Sequence, residues 1–95
     1  MNTVQFDLGR VLATRTAVDT FSDEELRRML IRHAHGDWGD LKKADKRAND
    51  EALLDGSRIL SRYDLENGRS AYIITDAEDD FGRRLHTTIC LPSEY

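Results

Sequence analysis

The spacing of apolar positions changes from helical to alternating at Gly56. Before that point the pattern predicts two helices. The first is capped by Ser22, which forms a capping-box sequence with Glu25, and it ends before Gly36. Its apolar stripe recurs at helical spacing and consists of Leu26, Met29, Leu30, His33 and Ala34.

The second predicted helix covers residues 41–54, with Gly56 as its C-terminal cap. Its apolar stripe is made mainly of alanines: Leu41, Ala44, Ala48, Ala52 and Leu53. We therefore expect this helix to pack closely against a neighbour.

After Gly56 the alternation predicts three strands, at residues 57–63, 71–75 and 85–91. The Asn67-Gly68 pair between the first two is a strong hairpin signal. Pro92 ends the third strand, because proline cannot donate to a sheet ladder. Together these segments predict an antiparallel meander over residues 57–92.

The first 21 residues predict irregular structure with short strands at 4–6 and 10–14 and a short helix from Thr16. The whole chain, 1–95, is then a single α+β domain with its helices in residues 22–55. We expect two helices packed on one face of a three- to four-stranded antiparallel sheet.

Length, composition and charge argue against several classes of protein. The 95 residues carry 14 Lys and Arg against 18 Asp and Glu, a net charge of −4, with 39% apolar and 34% charged residues. This length allows one modest core, and the acidic balance argues against a typical nucleic-acid binder, which needs excess cations. No run approaches a membrane span, and the N-terminus lacks the basic start and apolar core of a signal peptide.

Cys90 is the single cysteine and lies within an apolar strand-like run. It is expected to be a buried thiol in a reducing, cytoplasmic setting. The alternative is a nucleophile assisted by His86, which lies four residues away on the same strand face.

A run of acids between the last two strands is the first candidate site: Asp76, Glu78, Asp79 and Asp80. It can be a solvated loop, or it can dock onto a basic protein surface in place of a phosphate backbone. The spaced ligand array of a calcium loop is absent.

The segment that ends the first helix is the second candidate site. His33, His35 and Asp37 are metal-ligand types, and with His86 they give a metal-binding alternative. The two histidines are two positions apart, so they do not converge as an i, i+4 pair would. A structural role, or a partner-binding turn that uses Asp37 and Trp38, remains open, and we expect no metal or other cofactor.

Arginines alternate along the predicted hairpin at Arg58, Arg62 and Arg69, and with His86 they offer an alternative nucleic-acid site on the sheet. The sequence holds no phosphate loop, nucleophile elbow, H-E-x-x-H pair or Cys-x-x-Cys motif. We therefore expect no catalytic residues and no enzyme activity.

The chain resembles a family of small proteins from bacterial plasmids, phages and integrative elements. The resemblance rests on the Gly36-Asp37-Trp38-Gly39 turn, the Leu60-Ser61-Arg62-Tyr63 strand and the Leu91-Pro92-Ser93-Glu94-Tyr95 end. It covers residues 26–95 and departs from the family pattern at residues 76–84, where members have a shorter turn. It implies an accessory gene of a mobile element, a setting in which small acidic proteins often antagonise host defence.

These observations lead to the hypothesis of a non-enzymatic, stoichiometric inhibitor of the anti-CRISPR or anti-restriction type. Its partner would be a nucleic-acid-handling complex in the cytoplasm of the bacterial host. We expect no membrane association and no direct nucleic-acid binding. The alternative is a small nucleic-acid-binding accessory protein, or a toxin-like ribonuclease, that uses the sheet face.

Overall fold

The computed structural model describes residues 3–95, so Met1 and Asn2 of the predicted irregular segment lie outside the described residues. The elements, in chain order, are β1 (Arg10–Ala13), α1 (Arg15–Thr20), α2 (Asp23–Ala34), α3 (Lys43–Asp55), β2 (Ile59–Asp64), β3 (Ser70–Thr75) and β4 (His86–Cys90). Single 3-10 turns cover Glu66–Gly68 and Pro92–Glu94. No strand forms at residues 4–6, where one was expected.

Helix α2 confirms its sequence prediction in both its ends and its buried face. The Ser22 hydroxyl accepts from the Glu25 N–H at 3.1 Å, and the Glu25 carboxylate accepts from the Ser22 N–H at 2.9 Å. Met29, His33 and Ala34 are buried against the sheet, and Leu26 and Leu30 are partly buried beside them. The capping box and the stripe therefore fix where α2 begins and which side faces the core.

Helix α3 forms where it was predicted, and Leu41, Ala52 and Leu53 of its predicted stripe pack in a core cluster. The stripe is wrong at its other two alanines. Ala44 and Ala48 are exposed, whereas Asn49 and Ala52 are buried. Ala52 packs with Trp38 and Ile59, while Asn49 contacts the backbone of strand β2. An amide that pairs with a strand edge can stand on the buried side of a helix, and hydrophobic spacing does not reveal it.

The sheet has the order β1-β4-β3-β2. Strands β2, β3 and β4 form the predicted antiparallel meander. The expectation of a purely antiparallel sheet is wrong, because β1 pairs with β4 in parallel. Turn residues set the direction of consecutive strands, but β1 and β4 are separated by most of the chain, so no local signal sets theirs.

Helices α1 and α2 cover one face of the sheet. The expectation that both helices of residues 22–55 pack on that face is wrong for α3, which lies along the outer edge of β2 because Asn49 bonds the backbone there. The core on the helical face contains Phe21, Met29, Tyr63, Ile73 and Ile89. The opposite face carries the alternate side chains of the strands, which in β2, β3 and β4 are partly buried except for the buried Cys90 and the exposed Asp64. We call this second surface the open face.

The outer edge of β2 is closed by hydrogen bonds from the 36–40 turn and from α3. The Arg62 N–H donates to the Trp38 carbonyl at 3.2 Å, and the Asp40 N–H donates to the Arg62 carbonyl at 2.7 Å. The Asn49 side chain donates to the Leu60 carbonyl at 2.7 Å and accepts from the Leu60 N–H at 3.1 Å. Covering an edge in this way prevents pairing with another chain.

Gly39 is required for this closure. Its φ is +77°, and a Cβ at this position would overlap the Arg62 carbonyl oxygen. A side chain would therefore push the turn off β2, which explains the second glycine of the turn.

A chain of hydrogen bonds centred on His33 crosses the interior from α2 to the N-terminal segment. Thr87 Oγ1 donates its single proton to the Leu8 carbonyl at 2.7 Å. Thr87 Oγ1 also lies 2.7 Å from Thr75 Oγ1, and because its proton is already used, Thr75 is the donor in this second bond. Thr75 then accepts from His33 Nε2 at 2.9 Å, and Nδ1 accepts from Ser61 Oγ at 2.6 Å. The neutral ring is therefore the Nε2–H tautomer.

Every buried side-chain polar atom in residues 3–95 has a hydrogen-bond partner. In the same part of the chain, no helix is long and apolar enough to cross a membrane.

We predict that acid weakens the fold through His33. Burial lowers the pKa of His33 from an ordinary value of 6.5 to about 3. Below pH 6.5 His33 is protonated in the unfolded chain but stays neutral in the folded chain. The free energy of unfolding therefore falls as the pH drops towards 3. The slope is up to about 1.4 kcal/mol per pH unit.

Urea unfolding between about pH 6.5 and 4.5 measures this effect before most carboxylates titrate. The His33→Gln variant should lose most of the slope, and His35→Gln, at a half-buried position, is the matched control. A slope that is the same in His33→Gln as in the unaltered protein contradicts the prediction.

Candidate functional site

The acidic run lies in the ten-residue connection between β3 and β4, residues 76–85, which we call the β3–β4 loop. The Asp79 carboxylate accepts from the N–H groups of Phe81 and Arg83, both at 2.9 Å. The Arg83 N–H bond is the main reason that the pKa of Asp79 is lowered. Asp79 therefore shapes the loop from within.

The two ends of the loop are fixed to the rest of the fold. The Glu78 N–H donates to the Gly56 carbonyl at 2.8 Å, which ties the loop to the end of α3. Asp76 Oδ2 lies 3.0 Å from His86 Nδ1, across the base of the loop. The loop is thus an ordered structure with defined contacts.

Arg84 attaches the loop to α3 from inside the protein. It is only 5% exposed, and its guanidinium donates to three backbone carbonyls: Ser57 at 2.7 Å, Asp76 at 3.0 Å and Ala52 at 3.0 Å. The nearest carboxylate oxygen, on Glu78, is 4.0 Å away. A cation at the C-terminal end of a helix is favourable, and here it also satisfies the carbonyls.

The tip of the loop exposes its remaining chemistry. Phe81 is 79% exposed, and the Asp80 carboxylate forms no ion pair with the described residues. The Glu78 side chain is 42% exposed. The Phe81 ring, with the Arg83 guanidinium 5.1 Å from its centre, is thus exposed on an ordered loop that also exposes carboxylates. Sequence reasoning missed Phe81 because the exposure of a side chain cannot be read from its neighbours in the sequence.

The 36–40 turn, in contrast, is built from internal contacts. Trp38 is buried, and its indole N–H donates to Asp50 at 2.9 Å. Asp37 binds the Arg32 guanidinium through both carboxylate oxygens, at 2.6 and 3.2 Å, and this arginine is the main cause of its lowered pKa. The Tyr63 hydroxyl donates to the Asp37 carbonyl at 2.6 Å.

The sequence placed Asp37 and Trp38 with the acidic run in one partner-binding set. Within residues 3–95 no hydrogen bond or ion pair joins these two residues to the β3–β4 loop. Partner contact at the turn stays a prediction, and burial of the indole leaves little of Trp38 for a partner to touch.

The alternative basic set is divided between two places. Arg58, Arg62 and His86 lie on the open face, but Arg69 does not. Arg69 forms a two-point ion pair with Glu25 of α2 at 2.9 and 3.0 Å, which is the largest cause of the lowered pKa of Glu25, about 2. The ion pair of Arg69 with Glu25 therefore holds the β2–β3 loop against α2.

On the open face, two adjacent tyrosine rings lie between two arginines. The Arg58 guanidinium lies 5.2 Å from the centre of the Tyr95 ring, and Tyr95 packs edge-on against Tyr72 at 5.6 Å. Arg62 lies 6.0 Å from the centre of the Tyr72 ring and forms an ion pair with Asp64 at 2.9 Å. No sequence pattern predicts that Tyr95 lies against the sheet, because the contact joins the end of the chain to β3.

The candidate metal ligands do not converge. No group of three or more His, Cys, Asp or Glu side chains in residues 3–95 is arranged to hold a metal ion. His33 uses both ring nitrogens inside the core, and His86 contacts Asp76 at the base of the loop.

The Cys90 thiol is buried, as the sequence predicts. Burial is the largest cause of its raised pKa, with a further contribution from Glu94. A raised pKa leaves little thiolate at neutral pH, which is the opposite of what a nucleophile needs.

Comparison with protein-family models, with curated proteins and with solved structures finds no match to this chain.

We predict that Arg84 is essential for the position of the β3–β4 loop. Arg84→Leu removes the guanidinium donor from the carbonyls of Ser57 and Asp76, while the Ala52 carbonyl keeps the Gly56 N–H at 2.9 Å. The loss should lower the free energy of unfolding by about 3 kcal/mol. It should also speed hydrogen exchange at the Glu78 N–H. Arg83→Leu, at an exposed neighbouring cation, is the matched control and should change both quantities little. Equal effects of the two substitutions would contradict this role.

Proposed function

We propose that the protein is a non-enzymatic, stoichiometric inhibitor of a host defence, of the anti-CRISPR or anti-restriction type. It acts in the cytoplasm of the bacterial host and binds a nucleic-acid-handling complex through the β3–β4 loop. The resemblance of the 36–39 turn and the Leu91–Tyr95 end to mobile-element proteins supports this setting. The observation that carries the proposal is the ordered loop that exposes both Phe81 and the carboxylates of Glu78 and Asp80.

Order in the free protein favours binding. Asp79 and Arg84 hold the loop through backbone hydrogen bonds, so its shape is set before a partner arrives. A loop that is already ordered loses less conformational entropy on association. An exposed aromatic ring is also the type of side chain that supplies a large share of interface energy.

Charge at the loop supports a basic partner. Glu78 and Asp80 expose their carboxylates, while the Arg84 cation is turned inward onto backbone carbonyls. Arg83 stays exposed and lies 3.6 Å from the Asp79 carboxylate, so among the exposed charges of the loop the carboxylates outnumber the single cation. Such a surface attracts a groove that normally receives a phosphate backbone and speeds association at low salt.

A triple variant, Glu78→Gln with Asp80→Asn and Phe81→Ala, tests the loop while leaving Asp79 and Arg84 in place. We expect the unaltered protein to restore phage plating in at least one strain of a panel, each of which carries one active CRISPR or restriction system. The protection by the triple variant, measured as phage plating, should be at least tenfold weaker than that by the unaltered protein.

The matched control removes the same two charges and one apolar side chain elsewhere, on exposed positions of α3: Asp45→Asn, Glu51→Gln and Leu54→Ala. It should protect as well as the unaltered protein. Protection in no strain of the panel would refute the inhibitor proposal, and full protection by the triple variant would refute the role of the loop.

The second candidate function is nucleic-acid binding on the open face, which the Arg58–Tyr95–Tyr72–Arg62 row favours. Aromatic rings and guanidinium groups are the surfaces on which single-stranded bases stack. Against it, Asp64 forms an ion pair with Arg62, Asp76 contacts His86, and the chain has a net charge of −4.

We predict no gel shift with single-stranded DNA or RNA, even at low salt, because the open face offers little free positive charge for phosphates. A shift that is abolished by Arg58→Ala with Tyr95→Ala, and retained in the control Arg47→Ala, would replace the leading proposal with this one.

A further inference from the structure

Strand β1 is the uncovered edge of the sheet. All four of its residues are exposed, and two of them are sizeable apolar side chains, Val11 at 41% and Leu12 at 39%. The other edge, β2, is closed by the 36–40 turn and Asn49, as described above. The backbone of one sheet edge is thus covered, whereas that of the other edge is exposed.

The register with β4 determines which backbone groups of β1 remain free. The Arg10 N–H donates to the Leu85 carbonyl at 2.9 Å, and the Thr14 N–H donates to the Ile89 carbonyl at 3.0 Å. Residues 10, 12 and 14 therefore direct their backbone groups towards β4. Val11 and Ala13 direct their N–H and C=O groups outward, where no described residue pairs with them.

We propose that β1 pairs with β1 of a second copy of this chain, antiparallel and about a two-fold axis at Leu12. Val11 of each copy then exchanges both backbone hydrogen bonds with Ala13 of the other, which satisfies the outward groups with four bonds. The two sheets become one sheet of eight strands, and the two Leu12 side chains meet on its open face.

Charge complementarity favours a second copy as the occupant. In this register Arg10 lies directly opposite Thr14 of the other copy. Thr14 Oγ1 donates to the Glu94 carboxylate at 2.9 Å, so that carboxylate stands beside the position Arg10 reaches. Within residues 3–95 of one chain, neither Arg10 nor Glu94 forms an ion pair. The two-fold axis provides this pairing twice.

The closed edge at β2 limits the assembly to two copies. A pairing of β1 with β1 uses the same surface on both chains, so it leaves only the two β2 edges at the ends of the joint sheet. Those edges already receive hydrogen bonds from Trp38, Asp40 and Asn49. The association therefore ends in a dimer and does not continue into a fibre.

Sedimentation velocity from micromolar to millimolar protein tests the dimer. The unaltered chain should move from monomer to dimer as its concentration rises. Leu12→Lys brings two like charges together at the axis and should weaken dimerisation at least tenfold, as should Arg10→Glu. The matched controls are Leu54→Lys and Arg47→Glu on α3, which should dimerise as the unaltered chain does.

Cross-linking tests the register. Residues at the two-fold axis form a non-hydrogen-bonded pair with Cα atoms about 4.5 Å apart, which a disulfide can span. The Leu12→Cys variant should therefore form a covalent dimer on mild oxidation, and Leu54→Cys should not. A chain that remains monomeric at millimolar concentration, or a dimer that Leu12→Lys does not weaken, would overturn the proposal. Neither result bears on the inhibitor assay, which tests a different surface.

Discussion

The interior of this fold depends on the hydrogen-bond chain through His33. One imidazole on α2 links Ser61 of β2 to Thr75 of β3, and Thr87 of β4 passes the chain on to the Leu8 carbonyl. Each hydroxyl has one proton, so the direction of every bond follows from the terminal carbonyl. A buried network is stabilising only when all members are satisfied, and this requirement fixes the position of α2 over three strands at once.

What the sequence predicts well is local. The Ser22–Glu25 capping box, the stripe on α2 and the β2–β3–β4 meander all depend on residues a few positions apart, and all are found in the structure. The parallel pairing of β1 and the inward side of α3 depend on contacts between distant segments. Asn49 is the clearest case, because a polar residue gains a buried position only when the edge of β2 is there to receive its amide.

The candidate site shows the same limit. A run of acids followed by arginines is expected to be a solvated loop whose charges partly cancel. Within the fold, Arg84 turns inward to the carbonyls of Ala52, Ser57 and Asp76, and Asp79 is used to shape the turn. The sequence located the loop, but the division between structural and exposed charges arises from partners more than 20 residues away, such as Ala52 and Ser57.

The two proposed surfaces lie next to each other in the fold. Leu85, the last residue of the β3–β4 loop, accepts a hydrogen bond from the first residue of β1. In an antiparallel β1 pairing, these neighbouring ends of the two strands point in opposite directions. A dimer would therefore present its two loops at opposite ends of the joint sheet, and a single basic groove would receive only one of them. If both proposals hold, each dimer can bind two partner complexes, so that dimerisation raises the number of binding loops without altering either loop.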